Sequence, residues 1–426
     1  MITRVALLLL ALAVANGGVG AGEDSARLAA RINSGWTQWR GPNRDSRIAD
    51  PVAWPSTLSD QALRPLWTVE LAPSYSGPVV AAEVVFVTET RDKAREVVRA
   101  LERTSGRQLW EASWEGAMEV PFFAKANGDW IRATPAYDGE SLFVAGMRDV
   151  LVCLDAGTGE TRWRRDFVAE LGTALPAFGF ASSPLVDGDA VYVQAGAGCC
   201  KLEKRTGKIV WRTLVDEGGM MGSAFSSPVL VELAGRRQLL VQTREELAGV
   251  DPETGGVLWS RKIPAFRGMN ILTPLVHGDT VFTSAYGGKS FLFRIISEAG
   301  KFRADPVWES KVTGYMSSPV LIDDHIYLHL RNRRFTCLDL ATGESPWTTT
   351  PYGEYWSMVA NGDRMLALDE RGDLLLLRAN PREFELLDSR KVSDEPAWAH
   401  LAVSGDEIFV RGLNHLTVYR WQSHAE

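Results

Sequence analysis

The chain has 426 residues, with 53 acidic against 46 basic side chains, a formal charge of −7 and no basic run. That balance argues against a nucleic-acid partner held through its phosphates and suits an exported protein kept soluble by its acidity. The 15 tryptophans and 39 glycines matter more than the charge, because both recur at fixed places along the chain.

Residues 1–21 read as a signal peptide, with Arg4 as the positive start, Val5–Ala15 as the apolar core and Val19-Gly20-Ala21 as a small-residue cleavage site. That core is shorter than the roughly 20 apolar residues a spanning helix needs. No other stretch approaches the length, so no membrane span is expected. The first cysteine is Cys153, so no lipid anchor is expected either, and the mature protein belongs in the periplasm or outside the cell. Residues 22–64 are expected to form an extension, a strap held by Trp36, Trp39 and Trp54.

From Ser76 onward two motifs alternate. The first is a Ser/Thr-Pro strand: SGPVV at Ser76, ATPAY at Ala133, SSPLV at Ser182, SSPVL at Ser226, LTPLV at Leu272 and SSPVL at Ser317. The second is a strand ending in a Thr/Ser-Gly turn with a tryptophan beyond it, as in LERTSGRQLW (Leu101–Trp110), LDAGTGETRW (Leu154–Trp163), LEKRTGKIVW (Leu202–Trp211), VDPETGGVLW (Val250–Trp259) and LDLATGESPW (Leu338–Trp347). A degenerate copy ends at Trp308, and the six tryptophans lie about 40 to 53 residues apart. Between the motifs run a turn rich in Asp and Gly and two short β-branched strands. Each unit is therefore a four-stranded antiparallel sheet, with Asp and Thr capping turn amides and Gly supplying positive φ.

One sheet cannot cover its own tryptophan. Burying an indole gains roughly 4–6 kcal/mol gross, available only if the next sheet packs over the ring. Repeated docking around an axis gives a β-propeller. Two weaker inner strands, Trp356–Asp363 and His400–Asp406, bring the count to eight units of about 45 residues. The last unit lacks a fourth strand, and an orphan strand, Pro65–Leu71, precedes the first. The expected fold is thus all-β, an eight-bladed propeller over residues 65–426 closed by an N-terminal strand that completes the last blade.

These repeats resemble those of the PQQ-like (quinoprotein-type) β-propeller family, and Trp36–Asp45 (WTQWRGPNRD) is similar to the start of its secreted planctomycete-type members. The same repeat builds the propeller lipoprotein of the outer-membrane β-barrel assembly machinery. The resemblance implies a fold and two functional branches. One is a non-catalytic platform for protein or peptide partners in the cell envelope. The other is an oxidoreductase using pyrroloquinoline quinone with calcium. No carboxylate cluster for that calcium can be assigned in the sequence, and the large insertions of the dehydrogenase branch are absent, so the platform is the preferred expectation, as a monomer without a cofactor.

Cys153 and Cys337 occupy equivalent places in blades too far apart to be bridged. Cys199 and Cys200 align with ordinary strand positions, which favours two buried thiols over the vicinal disulfide known in quinoprotein dehydrogenases. His325 and His329 share a strand face about 13 Å apart, too far to ligate one metal. What recurs instead is an aromatic or Met residue in the loop leading into each inner strand. Around the ring these candidate ligand-binding positions are Tyr75; Trp130 and Arg132; Phe178 and Phe180; Met220, Met221 and Phe225; Phe266, Arg267, Met269 and Asn270; Tyr315 and Met316; Tyr355 and Trp356; Trp398 and His400. They read either as packing that plugs the channel or as an apolar, cationic mouth with Arg132 and Arg267 as anchors.

Overall fold

Eight four-stranded antiparallel sheets form a closed ring in the computed structural model, which describes residues 35–48, 53–216 and 224–422. The signal peptide, residues 22–34 of the extension, and Met220 and Met221 lie outside the described residues. Blade 1 comprises Val79–Val80, Val84–Arg91, Arg95–Glu102 and Gln108–Glu115. Six more follow in chain order, ending with Trp356–Asn361, Arg364–Asp369, Asp373–Arg378 and Glu385–Lys391. Blade 8 takes its first three strands from the C-terminus (Ala402–Ser404, Glu407–Arg411, His415–Trp421) and its outermost from Leu63–Glu70, which pairs antiparallel with His415–Trp421. The circle is therefore closed by backbone hydrogen bonds between the two ends of the domain.

The repeat motif is explained by where its tryptophan goes. In six of the eight blades described, the strand pairing skips one residue next to the tryptophan. The bulged residues Leu66, Leu109, Val210 and Val307 are consequently exposed, while the indole turns towards the next blade. There its Nε1 donates to a turn carbonyl: Trp110 to Ala156 (3.0 Å), Trp163 to Lys204 (2.9 Å), Trp211 to Pro252 (3.2 Å), Trp308 to Leu340 (2.8 Å) and Trp347 to Asn380 (3.0 Å). For Trp110, Trp163, Trp211 and Trp308 the ring lies over the glycine of that turn; a Cβ on Gly159 would stand 2.6 Å from Trp110 Cε3. Glycine is thus required twice, for its φ of 78° and for its missing side chain.

Two departures from the pattern emerge. Trp67, on the closing strand, docks on blade 1 through Arg103 O (2.9 Å) and Gly106, although no turn precedes it in sequence. Trp259 instead donates to Gln238 Oε1 of its own blade (2.7 Å) and is buried with Phe293, Ile295 and Ala304 of the next. All four cysteines are free thiols in the core. Cys199 packs with Tyr192 and Leu239, and Cys200 with Phe167 and Val193, on opposite faces of one strand.

The Ser/Thr-Pro motif holds the inner ring together. In four of the six copies the hydroxyl before the proline accepts a backbone N–H from the preceding blade: Thr134 from Gly77 (3.1 Å), Ser183 from Thr134 (2.9 Å), Ser227 from Ser183 (2.9 Å) and Ser318 from Thr273 (3.2 Å). Proline loses nothing here, because an innermost strand has no further ladder to donate to.

Candidate functional site: the aromatic mouth

Innermost strands leave carbonyls facing the channel, and residues 36–48 satisfy them. Trp36 pairs with Val80, Thr37 O accepts from Tyr137 N, and Ser46 and Ile48 pair with Ala360. Arg44 donates to Pro184 O (2.7 Å) and Ser183 O (3.0 Å), Arg40 to Pro319 O, and Arg47 to Leu321 O (3.1 Å). Tight turns at Arg40, Gly41, Arg44 and Ser46, all with positive φ, let this short segment reach most blades. It fills the channel from the side of the Thr-Gly turns. Trp39, bonded to Thr273 Oγ1 (3.1 Å), forms the floor of what remains.

What remains is a one-ended cavity of about 190 Å³ at the opposite mouth, lined by Trp39, Tyr75, Asn127, Arg132, Phe178, Phe225, Met269, Met316 and Trp398 together with Ser183, Ser227 and Ser318. Of the positions expected from sequence, Tyr75, Arg132, Phe178, Phe225, Met269, Met316 and Trp398 meet here. Around them runs a belt of touching rings. Trp130 contacts Tyr75 (centroids 5.2 Å apart), Tyr75 contacts Trp398 (4.5 Å), Trp398 contacts Tyr355 (3.7 Å) and Tyr355 stacks on Tyr315 (5.3 Å). The belt continues through Tyr286 (5.1 Å) to Phe266 (6.1 Å), whose ring lies under the Arg267 guanidinium (5.1 Å). Arg267 also covers Phe123, which touches Phe178, which touches Phe225. Burial pushes the Tyr75 hydroxyl up to about 12, so that ring meets a ligand as a neutral phenol.

Four expected positions do not face the mouth. Trp356 begins an inner strand next to Tyr355, so its ring points to the other side, stacking on His329 (5.0 Å) and Phe335 between blades. Phe180 follows Gly179, whose φ of 74° redirects the chain, and its ring packs on Phe167 (6.4 Å). The Asn270 amide donates to Arg244 O and Ile263 O, bracing its own loop. His400 lies deeper, edge-on to Trp39 (4.9 Å) with Nε2 3.3 Å from Ser46 Oγ; burial pushes its pKa down to about 3, so it holds the channel segment as a neutral imidazole.

Sequence reasoning missed Tyr286, Phe122 and Phe123. Tyr286 lies in a hairpin turn between the second and third strands of blade 5, which opens on the same face as the loops that were considered. Phe122 and Phe123 begin a short 3-10 helix, Phe122–Asn127, in an unusually long connection between blades 1 and 2. The length of that connection was the available signal.

The cavity is a poor match for calcium and a quinone. Its described lining contains no carboxylate, whereas calcium takes six to eight oxygen ligands rich in Asp and Glu. No cluster of three or more His, Cys, Asp or Glu side chains suited to a metal occurs among the described residues.

Blade number, ring closure and tryptophan docking define a PQQ-like repeat propeller whose channel ends in an aromatic mouth. The family model described as outer membrane protein assembly factor BamB matches residues 94–349, and the chain belongs to that family. A curated relative, outer membrane protein assembly factor BamB of Yersinia pestis, is 24% identical over 268 residues, covering 58% of this chain and 63% of the relative. The match thus spans less than two thirds of that protein. Among solved structures, BamB from Moraxella catarrhalis superposes with a TM-score of 0.61 at 17% identity, over 85% of this chain and 99% of that one. A europium-containing methanol dehydrogenase superposes with a TM-score of 0.52 at 13% identity, over 93% and 100%. Such low identities establish a shared fold and nothing finer. No helix among the described residues is long and apolar enough to cross a membrane.

Proposed function

We propose that this protein is an exported, non-catalytic propeller that holds a protein or peptide segment at its aromatic mouth during assembly in the cell envelope. One observation carries the reading: the channel is filled from one end by the chain's own residues 36–48, and the other end presents a continuous ring belt around an acid-free cavity. Aromatic side chains clustered over a recess are the composition of a binding hot spot, and membership of an outer-membrane assembly family supports an envelope partner. The alternative, a quinone- and calcium-dependent oxidoreductase, is less well supported, because no carboxylate lines that cavity among the described residues.

The test is capture of envelope proteins by photo-crosslinking from the mouth, comparing the wild-type protein with the Tyr75→Ala/Trp398→Ala double variant. Loss of specific adducts at unchanged melting temperature is expected. Equal crosslinking by both proteins would show the belt to be packing only. In parallel, added quinone with calcium should leave the melting temperature unmoved.

A further inference from the structure

The cavity is rich in hydrogen-bond donors and poor in charged acceptors. Arg132 reaches its wall, using Nε on Trp130 O (3.3 Å) and Nη2 on Gly128 O (3.0 Å). Its Nη1 has no protein partner, and the guanidinium has no ion-pair partner, among the described residues. Burial lowers its pKa to about 10, which leaves it charged at neutral pH. Asp129 lies near enough to favour its charge without forming an ion pair, so the half-buried guanidinium keeps donor capacity and charge for a ligand. Beside it stand Ser183, Ser227 and Ser318. Each hydroxyl oxygen already accepts a backbone N–H, and no acceptor for the three hydroxyl protons is present among the described residues. A serine hydroxyl has one proton to give, so these three can point at a ligand. Asn127 adds an amide.

Size narrows the occupant. At about 190 Å³ the cavity is smaller than the roughly 300–1,000 Å³ of sites for whole drug-sized ligands; it suits one side chain. Immediately outside lies an open groove of about 900 Å³ whose apolar wall is Phe122, Phe123, Ile263, Pro264 and Ala265 and whose charged rim is Arg244, Lys262 and Arg267 against the single carboxylate Glu245. It connects to the cavity through the Phe123–Phe178 ring contact (6.2 Å). Phe122 is 85% exposed and Phe123 47%, a large amount of apolar surface for a groove with cations beside it. An apolar surface rimmed by cations and leading to the Arg132 guanidinium is complementary to an acidic side chain flanked by apolar residues.

Resting on the reading above, we propose that the mouth recognises an extended partner segment in which a Glu or Asp carboxylate, seated on Arg132 and the three serine hydroxyls, is flanked by apolar side chains lying on the groove at Phe122 and Phe123. The carboxylate would receive charge-assisted hydrogen bonds, which are roughly twice as strong as neutral ones.

The experiment uses fluorescein-labelled, N-acetylated, C-amidated nonapeptides with Leu and Phe flanking a central Glu, and twins carrying Gln at that place. Binding is read by fluorescence anisotropy against the full chain and its Arg132→Gln and Arg132→Lys variants. The Glu peptide should bind wild type about tenfold or more tightly than its Gln twin. Arg132→Gln should erase that ratio, and Arg132→Lys should retain part of it. Equal binding of the twins to wild type overturns the carboxylate assignment while leaving mouth binding intact, and it does so even if the variants fold poorly. A preference that survives Arg132→Gln overturns the role of Arg132. Binding of neither peptide sinks the mouth reading itself. Displacement by free phenylacetate at matched concentration would transfer the site to small organic acids and overturn the peptide assignment.

Discussion

Tryptophan docking on a turn glycine can be tested with two glycines of similar backbone. Gly159 (φ 78°) lies under Trp110, and Gly172 (φ 66°), at the end of the short helix Phe167–Leu171, has nothing within 4 Å of a built Cβ. Either change to alanine places a non-glycine residue in the left-handed region, worth about 1–2 kcal/mol. At Gly172 nothing further is lost. At Gly159 the new methyl carbon would stand 2.6 Å from the indole, so the ring must lift. That forfeits the hydrogen bond to Ala156 O, about 1 kcal/mol, and re-exposes part of the indole, about 2 kcal/mol at 25 cal/mol per Å². Gly159→Ala should therefore destabilise by about 4 kcal/mol and Gly172→Ala by no more than about 2 kcal/mol. Urea unfolding followed by tryptophan fluorescence reads both midpoints. Equal midpoints for the two variants would refute the claim that docking, and not backbone conformation alone, demands glycine in the repeat.

Ring closure offers a second paired comparison. Trp67→Ala on the closing strand should cost about 3 kcal/mol and speed proteolysis between blades 8 and 1, whereas Leu66→Ala, at the exposed bulge beside it, should lie within about 0.5 kcal/mol of wild type; similar melting of the two would contradict the docking role of Trp67. A pH dependence follows from Asp149, which accepts from Gly196 N (2.8 Å) and whose carboxyl burial raises from 3.8 to about 6. A raised carboxyl favours the folded state below the unfolded value and loses that contribution as pH climbs through about 6. Asp149→Asn keeps an acceptor and tolerates the φ of 58°. It should raise the melting temperature at pH 8 and change little at pH 4, and a shift of equal size at both pH values would contradict the assignment.

The two repeat motifs made the fold legible because each encodes a contact that several blades make in the same way. Trp110, Trp163, Trp211, Trp308 and Trp347 need the next blade's turn, and Ser183, Ser227 and Ser318 need the preceding blade's N–H. Periodicity of that kind survives in one dimension. Even the closing strand was readable, as a strand without a turn and a blade without an edge. The mouth was legible in part, because the loops leading into inner strands must open on one face. Tyr75, Arg132, Phe178, Phe225, Met269, Met316 and Trp398 were found on that ground.

Side-chain direction within those loops was not readable. Tyr355 and Trp356 are neighbours with opposite destinations, fixed by the strand that begins at Trp356. Phe180 was turned inward by a single left-handed glycine. Trp36 and Trp39 marked WTQWRGPNRD as part of a strap, but the parts of Arg40 and Arg44 were not readable, since they bond carbonyls 279 and 140 residues away, Pro319 and Pro184. Local sequence determined the blades and their number, because docking and pairing repeat with the chain. Only the closed ring decided what faces its axis, because carbonyls, rings and cations distant in sequence meet there once the last strand has paired with the first.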